Sequence, residues 1–237
     1  MPAVVDAGVV TWTPPAFPGW SGINLGHLAT RRLGVQSAVE FDGYAAALGE
    51  RWVGRARGYR DIVVIIVGTG IGAGLIHGGR LVRGSSGVAG AVGWLRWSQR
   101  PGVSLPLEDV ASGAAILRNA VGRLPSGATP YADTAAVFTA ADAGDPIAIQ
   151  TIDEAVSALG DAISALVSIL APQIVVLGGG VGSRTDLVDR VRDAARRTAQ
   201  PHAAASVLIE PSSLGAKSSL MGAAYLATQS MRRSIVV

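Results

Sequence analysis

Cysteine is absent from the 237 residues of this chain, so neither disulfide bonds nor thiolate metal sites can form. Long apolar runs are also absent. The most apolar helical stretch, residues 163–170, lies between Asp161 and Pro172 and is too short to cross a bilayer. The first six residues lack the basic and apolar regions of a signal peptide. These absences predict a cytoplasmic chain that does not enter a membrane.

Lysine is nearly absent, because Lys217 is the only lysine among 20 basic residues, which stand against 17 acidic ones. The net charge is only +3, and the sequence pI of about 9.8 is high because arginine does not lose its proton. The densest basic cluster, within residues 190–197, alternates with aspartates at helical spacing. This pattern favours a solvated helix face over a nucleic-acid footprint.

Two segments, residues 61–67 and 173–177, are continuously apolar after their first residue and predict strands that are buried on both faces of a sheet. Shorter strands are predicted at residues 37–41, 80–82 and 206–210, and ordered or glycine-rich loops at residues 1–25 and 84–106. Helices are predicted at residues 24–33, 44–53, 148–170 and 217–229, with another beginning near Thr185. Strands that alternate with helices indicate an α/β fold.

Two glycine clusters follow the two buried strands: Gly68, Thr69, Gly70 and Gly72 follow the first, and Gly178, Gly179 and Gly180 follow the second. Open α/β sheets bind ligands at the carboxyl ends of their strands. Glycine lets a backbone approach a phosphate closely and direct several N–H groups at it. The clusters therefore predict phosphate or nucleotide binding, and two tight turns without a ligand are the alternative.

Residues 68–73 also match the dinucleotide-binding fingerprint G-x-G-x-x-A. That fingerprint requires a helix directly after the turn, whereas this segment continues into a strand and the Gly78-Gly79 turn. A hairpin loop that surrounds a phosphate agrees better with this sequence.

Two carboxylates are candidates for the chemistry of the site. Asp42 lies between a predicted strand and a predicted helix, where it could accept a proton from a sugar hydroxyl that attacks a γ-phosphate. Its spacing alone favours the alternative that it caps the helix at residues 44–53. Glu108 could bind sugar hydroxyls, or it could simply be an acid near a helix N-terminus.

Five motifs in this order resemble the ROK (repressor/ORF/kinase) family over almost the whole chain. Residues 17–23 resemble its Pro-Gly-Trp segment, and residues 40–46 resemble the stretch that carries its catalytic aspartate. Residues 68–74 resemble its second phosphate loop, residues 107–113 its Leu-Glu-x-Tyr-Ala-Ser-Gly motif and residues 177–181 its adenosine segment.

The resemblance implies the actin-like ATPase fold of hexokinase type, in which two lobes enclose ATP and sugar. Residues 1–60 would belong to the small N-terminal lobe and residues 61–237 to the large lobe, with the last helix able to pack back on the small one. Asp42 would be the catalytic base and Glu108 would bind sugar. Both glycine clusters would bind ATP, Mg²⁺ would accompany the ATP, and the protein would be a homodimer.

The chain also departs from the family pattern. The family's opening Asp-x-Gly-Gly-Thr is missing, so we expect an incomplete N-terminal lobe. Three sugar-site positions are altered: Phe41 replaces an asparagine, Ala91 a glutamate and Trp94 a histidine. The loop at residues 101–106 replaces the family's cysteine-rich zinc loop, so no structural zinc is expected. The altered pocket predicts a substrate other than plain glucose.

Two hypotheses of function follow. The first is an ATP-dependent kinase that phosphorylates a sugar or sugar-like alcohol. The second is a non-catalytic sugar-binding module, either the effector domain of a ROK transcriptional regulator or an inactive paralogue. Nucleic acid would be a partner only if a helix-turn-helix preceded these residues. A chain that does not close over ATP by itself is a third possibility.

Overall fold

The computed structural model describes residues 3–13, 18–100 and 102–235, with only the backbone for residues 99, 100 and 230–235. Residues 14–17 of the predicted N-terminal loop and Pro101 of the predicted zinc-loop replacement lie outside this description. The strands are β1 (Val4–Asp6), β2 (Val9–Trp12), β3 (Ile62–Val67), β4 (Ile71–His77), β5 (Arg80–Val82), β6 (Arg96–Arg100), β7 (Val103–Pro106), β8 (Ile174–Gly178) and β9 (Leu208–Pro211). The helices are α1 (Leu25–Leu33), α2 (Asp42–Val53), α3 (Glu108–Ala111), α4 (Gly113–Val121), α5 (Thr134–Asp142), α6 (Pro146–Leu170), α7 (Gly179–Gly182), α8 (Thr185–Thr198), α9 (Pro201–Ser206) and α10 (Ser218–Ile235).

A five-stranded mixed sheet in the order β5-β4-β3-β8-β9 forms the centre of the molecule. Strand β3 pairs antiparallel with β4 and parallel with β8, so Ile66 lies opposite both Gly72 and Gly178. The parallel pair brings the carboxyl ends of β3 and β8 to the same edge. The α/β prediction is thereby confirmed.

Both faces of this sheet are covered by helices, which explains why β3 and β8 are apolar at every position. Val63, Ile65 and Val67 belong to a large core cluster with side chains of α6 and α8. Ile62 and Val64 point to the opposite face, where they cluster with alanines of α2. A strand buried on both faces has no solvent-facing side on which polar residues would be tolerated.

Helices α2 and α10 pack against each other more closely than ordinary side chains permit. A Cβ at Gly49 would overlap the carbonyl oxygen of Ser218, and one at Gly222 would overlap the carbonyl oxygen of Ala45. Glycines at these two positions therefore let the two backbones approach. The division into lobes at residues 1–60 and 61–237 stays a prediction.

Local signals placed several helix ends correctly. Helix α1 ends at Gly34, which has a φ of 69° and donates its N–H to the Thr30 carbonyl. Helix α6 ends at Leu170, as predicted from Pro172, but it begins at Pro146, two residues before the predicted start, because the Asp145 carboxylate accepts the N–H groups of Ile147 and Ala148. Among the described residues, no helix is both long enough and apolar enough to span a membrane.

Three sequence expectations were wrong. Residues 37–41 do not form a strand, because the Glu40 side chain rather than a neighbouring strand accepts the Phe41 N–H. Residues 84–106 contain the β6–β7 hairpin, and the described part of residues 1–25 contains the β1–β2 hairpin. Both hairpins have short, irregularly paired strands, so neither has the extended alternating pattern that marks a strand in sequence.

Candidate functional site

The two glycine clusters come together at the carboxyl ends of β3 and β8. They contribute to one cavity of about 490 Å³. Of the residues predicted to bind ATP, Gly68, Thr69 and Gly180 line this cavity directly. Its other lining residues are Gly113, Ala114, Thr134, Ala135, Phe138, Val181 and Arg184. We call it the nucleotide pocket, after the sequence prediction.

The glycines around the nucleotide pocket fall into two kinds. Gly179 has a φ of 84°, and a Cβ there would overlap the Val67 carbonyl oxygen, so the fold itself requires glycine. A Cβ at Gly70 would lie 2.6 Å from Oε2 of Glu108. In contrast, a Cβ at Gly68 or Gly180 would meet nothing within 4 Å. Packing explains the first two glycines, whereas the last two leave open space that a ligand could occupy.

Helix α4 closes one side of the nucleotide pocket. The Gly113 N–H donates to the Gly68 carbonyl at 2.7 Å, and the Thr134 hydroxyl donates to the Gly113 carbonyl at 2.8 Å. Ser112 caps α4, because its side chain accepts the Ala115 N–H. These bonds tie the segment after Glu108 to the first glycine cluster.

Arg184 contributes a charged side chain to the lining of the nucleotide pocket. Sequence reasoning missed this residue. Its guanidinium lies 4.2 Å from the centre of the Phe138 ring and donates to Asp186 at 2.9 Å. Its Nε is buried and has no hydrogen-bond partner among the described atoms. Burial acts to raise the pKa of Asp186, but hydrogen bonding and the charge of Arg184 outweigh it, so the pKa lies below its ordinary value. Nothing in the local sequence distinguishes Arg184 from other surface arginines.

The chain continues from Gly68 and Thr69 to Ile71 and Gly72, which line a second, smaller cavity of about 150 Å³. It brings together all four residues predicted for the sugar site: Phe41, Ala91, Trp94 and Glu108. The remaining lining residues are Ala3, Val4, Trp12, Ile71, Gly72, Gly87 and Val88. We call it the acceptor pocket. Its lining is mostly apolar, and Gly72, which was predicted with the ATP-binding residues, lines this pocket.

Glu108 connects the two pockets. It is the first residue of α3, and its Oε2 accepts the backbone N–H of Ile71 at 2.7 Å. Ile71 lies between Gly70 and Gly72 of the first glycine cluster, so Glu108, which lines the acceptor pocket, also holds this glycine segment. Both sequence interpretations of Glu108, sugar binding and a helix N-terminus, agree with this position.

Asp42 is the first residue of α2, and Phe41 occupies the N-cap position. Its Oδ1 accepts the N–H of Gly43 at 2.9 Å, and its carbonyl oxygen accepts the hydroxyl of Ser219 at 3.0 Å. The carboxyl group therefore bonds the first turn of α2 without being the helix cap. Its second oxygen has no hydrogen bond among the described residues.

The segment that leads into Asp42 is held by a charged and aromatic cluster. Glu40 accepts the Phe41 N–H at 2.9 Å and forms a two-pronged ion pair with Arg83. Tyr44 donates its hydroxyl to the carbonyls of Arg83 and Gly87, and burial raises its pKa, as does Glu40, against the opposing charge of Arg83. The Phe41 ring contacts the Tyr44 ring edge-on at 5.0 Å. This cluster fixes Phe41 in the acceptor pocket.

Metal binding has little support from protein side chains alone. The described residues hold no group of three or more histidine, aspartate or glutamate side chains that could bind a metal ion. Mg²⁺ that arrives with a nucleotide needs only one or two protein carboxylates, because phosphates and water supply its other ligands. The expected absence of structural zinc stays a prediction.

The mixed sheet with helices on both faces and a cleft at the carboxyl ends of β3 and β8 has the actin-like ATPase fold of hexokinase type. The chain belongs to the ROK family, whose sequence model matches residues 1–230. It is 36% identical over 214 residues to the bifunctional enzyme NanE/NanK of Brucella suis. The matched region covers 90% of this chain and 38% of that protein. It is also 32% identical over 198 residues to a glucokinase of Thermotoga maritima. This match covers 77% of this chain and 62% of that enzyme.

Among solved structures, the fold is similar to a ROK family glucokinase from Streptomyces griseus in complex with glucose and AMPPNP. The TM-score is 0.82 at 30% sequence identity, and the match covers 96% of this chain and 80% of the glucokinase. The chain spans less than two thirds of the length of the two curated relatives described above.

Proposed function

We propose that this chain transfers the γ-phosphoryl group of ATP to a hydroxyl of a sugar or sugar-like alcohol. The observation that carries the proposal is that one glycine segment lines two pockets. Gly68 and Thr69 line the nucleotide pocket, whereas Ile71 and Gly72 line the acceptor pocket, where Glu108 accepts the Ile71 N–H. The similarity to a glucokinase crystallised with glucose and AMPPNP supports this assignment.

In the nucleotide pocket, the backbone N–H groups of Thr69 and Gly70 would hold the phosphates, because the Gly68 N–H already donates to the Gly70 carbonyl at 3.0 Å. Gly178, which ends β8, and Gly179 and Gly180, which begin α7, would lie against the adenosine, with Mg²⁺ on the phosphates. Phosphoryl transfer depends mainly on positioning and on stabilising charge in the transition state, which backbone donors in a partly closed cleft supply.

Asp42 would act as the general base. Its carboxylate would take the proton of the acceptor hydroxyl as that oxygen forms a bond to the γ-phosphorus. The bond between the γ-phosphorus and the bridging oxygen would break, and ADP would leave with that oxygen. The free Oδ2 of Asp42 and the fixed backbone of α2 favour this role over a purely capping one.

The acceptor is proposed to differ from plain glucose. Phe41, Ala91 and Trp94 supply no hydroxyl-binding carboxylate or amide to the acceptor pocket. Each sugar hydroxyl left without a partner costs roughly 1–3 kcal/mol. Aromatic faces instead favour an acceptor with an apolar ring face or substituent.

Replacing Asp42 with asparagine tests the proposed function. Asp42→Asn keeps the size of the side chain but removes the base. We therefore expect phosphorylation to fall about 10²- to 10⁴-fold while binding of AMPPNP and acceptor is retained. A coupled ADP assay over a panel of sugars and alkyl or aryl glycosides measures the rate.

The matched control is Asp61→Asn. Asp61 precedes β3 at the end of the sheet opposite the glycine loops, where it bonds Gly78 and His77. This variant should keep the wild-type rate. The kinase proposal fails if the wild-type protein phosphorylates no member of the panel, or if Asp42→Asn is as active as wild type.

A non-catalytic sugar-binding module, such as the effector domain of a ROK regulator, is the second candidate. The three altered positions in the acceptor pocket favour it. Binding of a sugar without any ATP turnover would support it. We further propose a homodimer and a cytoplasmic location. A role at nucleic acid would require a helix-turn-helix that precedes these residues.

A further inference from the structure

The carboxyl group of Glu50 is completely buried, and its hydrogen-bond partners among the described residues are two hydroxyls and one backbone N–H. It lies in α2, eight residues after Asp42. Its Oε1 accepts the hydroxyls of Ser212 and Ser218, the latter at 2.7 Å, and its Oε2 accepts the N–H of Arg55 at 2.9 Å. A buried carboxyl group is tolerated only when its oxygens are satisfied in this way. The phosphoryl transfer proposed above leaves this group without a role.

Ser212 connects Glu50 to the nucleotide side. Its N–H donates to the carbonyl of Leu177 at 2.8 Å, directly before the second glycine cluster. Its hydroxyl oxygen accepts the N–H groups of Leu214 and Gly215 at 3.0 and 2.8 Å while the hydroxyl donates to Glu50. Ser212 thus organises the loop after β9 and holds it against the end of β8.

Ser218 and Ser219 connect the same network to the other end of α2. Ser218 begins α10 and bonds Glu50, and Ser219 donates its hydroxyl to the carbonyl of Asp42 at 3.0 Å. Close backbone contacts at the glycines of α2 and α10 hold the two helices together between the hydrogen bonds of Ser218 and Ser219. Asp42 and the carboxyl end of β8 are therefore joined through a chain of buried and half-buried hydrogen bonds.

We infer that Glu50 is a positioning residue that couples the helix carrying Asp42 to the second glycine cluster. The inference rests on the proposed function, because that function assigns Asp42 to the acceptor and Gly178–Gly180 to ATP, the two partners of one reaction. Those partners must be held within a fraction of an ångström, and a displacement of about 1 Å costs roughly 100-fold in rate. Glu50 holds both from a position that neither substrate touches.

Glu50→Gln is the direct test. One half of the glutamine amide is a donor, so it cannot accept both the serine hydroxyls and the Arg55 N–H as the carboxyl group does. We expect kcat to fall about tenfold or more, the acceptor KM to change by less than threefold and AMPPNP to bind more weakly. Ser212→Ala should likewise lower kcat and leave the acceptor KM nearly unchanged. Ser212→Thr, which keeps the hydroxyl, should have a higher kcat than Ser212→Ala.

Glu154→Gln is the matched control. Glu154 is also largely buried and bonds Arg123, but it lies in α6 on the other face of the sheet. A merely structural role for Glu50 predicts that both glutamine variants lose thermal stability and keep their kinetics. That result would overturn the inference.

Hydrogen–deuterium exchange separates this inference from the proposed function, because it requires no turnover. In Glu50→Gln and Ser212→Ala, amide exchange should rise at residues 42–46 and at 178–182, and it should stay unchanged in Glu154→Gln. If wild type phosphorylates nothing, the kinase proposal fails. Amide exchange and AMPPNP affinity would still decide whether Glu50 couples α2 to the second glycine cluster. Exchange that rises only near residues 50–56 would contradict the coupling. If Glu50→Gln does not fold, Ser212→Ala carries the same comparison.

Discussion

The nucleotide pocket and the acceptor pocket are lined by consecutive parts of one glycine segment, Gly68 and Thr69 for the first and Ile71 and Gly72 for the second, yet they differ in what builds them. Backbone dominates the first, through Gly68, Gly113 and Gly180, whereas side chains dominate the second, through Phe41 and Trp94. The glycine motifs match the family pattern, while three side-chain positions of the acceptor pocket do not. A site built from backbone keeps its chemistry as long as the fold is kept. A site built from side chains changes its ligand with single substitutions.

The largest expected effect comes from breaking the backbone side of this comparison at Gly179. An alanine there must adopt a φ near 84° and overlap the Val67 carbonyl. Gly179→Ala should therefore lower the free energy of unfolding by about 3 kcal/mol and abolish AMPPNP binding. Chemical denaturation and calorimetric titration measure the two quantities.

Gly180→Ala sharpens the same test. A Cβ at Gly180 meets nothing within 4 Å, so stability should be unchanged. Nucleotide affinity should still fall, because the methyl group would occupy space that the ligand needs. Full AMPPNP affinity in this variant would show that the open space at Gly180 does not face a nucleotide.

A double change on the side-chain side, Phe41→Asn with Trp94→His, gives the next largest effect. It adds hydroxyl-binding groups to the acceptor pocket and should tighten glucose binding about 10- to 100-fold. AMPPNP affinity should be unchanged, because the nucleotide pocket contains neither residue. Calorimetric titrations with glucose and with an aryl glucoside measure whether the variant prefers glucose more than wild type does. Unaltered glucose affinity would indicate that these two positions do not set specificity.

The smallest effect concerns pH and the charged side chain of Arg184 in the lining of the nucleotide pocket. The pKa of Asp186 is below its ordinary value of 3.8 in the folded state, because Arg184 outweighs the effect of burial. Its contribution to stability is therefore complete above that value and is lost as pH falls through the folded pKa. Thermal unfolding of Asp186→Asn should show a smaller loss of stability below pH 4 than wild type, by a few tenths of a kcal/mol at this largely exposed group. Parallel acid curves for the two proteins would contradict this assignment.

Sequence reasoning performed unevenly across these same regions. It predicted β3, β8 and α6 well, because continuous burial and capping residues are local signals. It also named Phe41, Ala91, Trp94 and Glu108, which the fold does bring together. It placed a strand at residues 37–41, where an extended segment is held by Glu40 and Arg83. That error reflects a side-chain contact across 43 residues, which no local pattern contains.

By itself, the sequence determined the α/β class, the two buried strands with their glycine ends and the family motifs, because periodicity, glycine and caps act over a few residues. Only the tertiary structure decided which side chains meet. It placed Arg184 over Phe138, joined Glu108 to the first residue of β4 and brought Ser212 to Glu50 across 162 residues of chain. Such contacts depend on strand register and helix packing, which arise only when distant segments share one core.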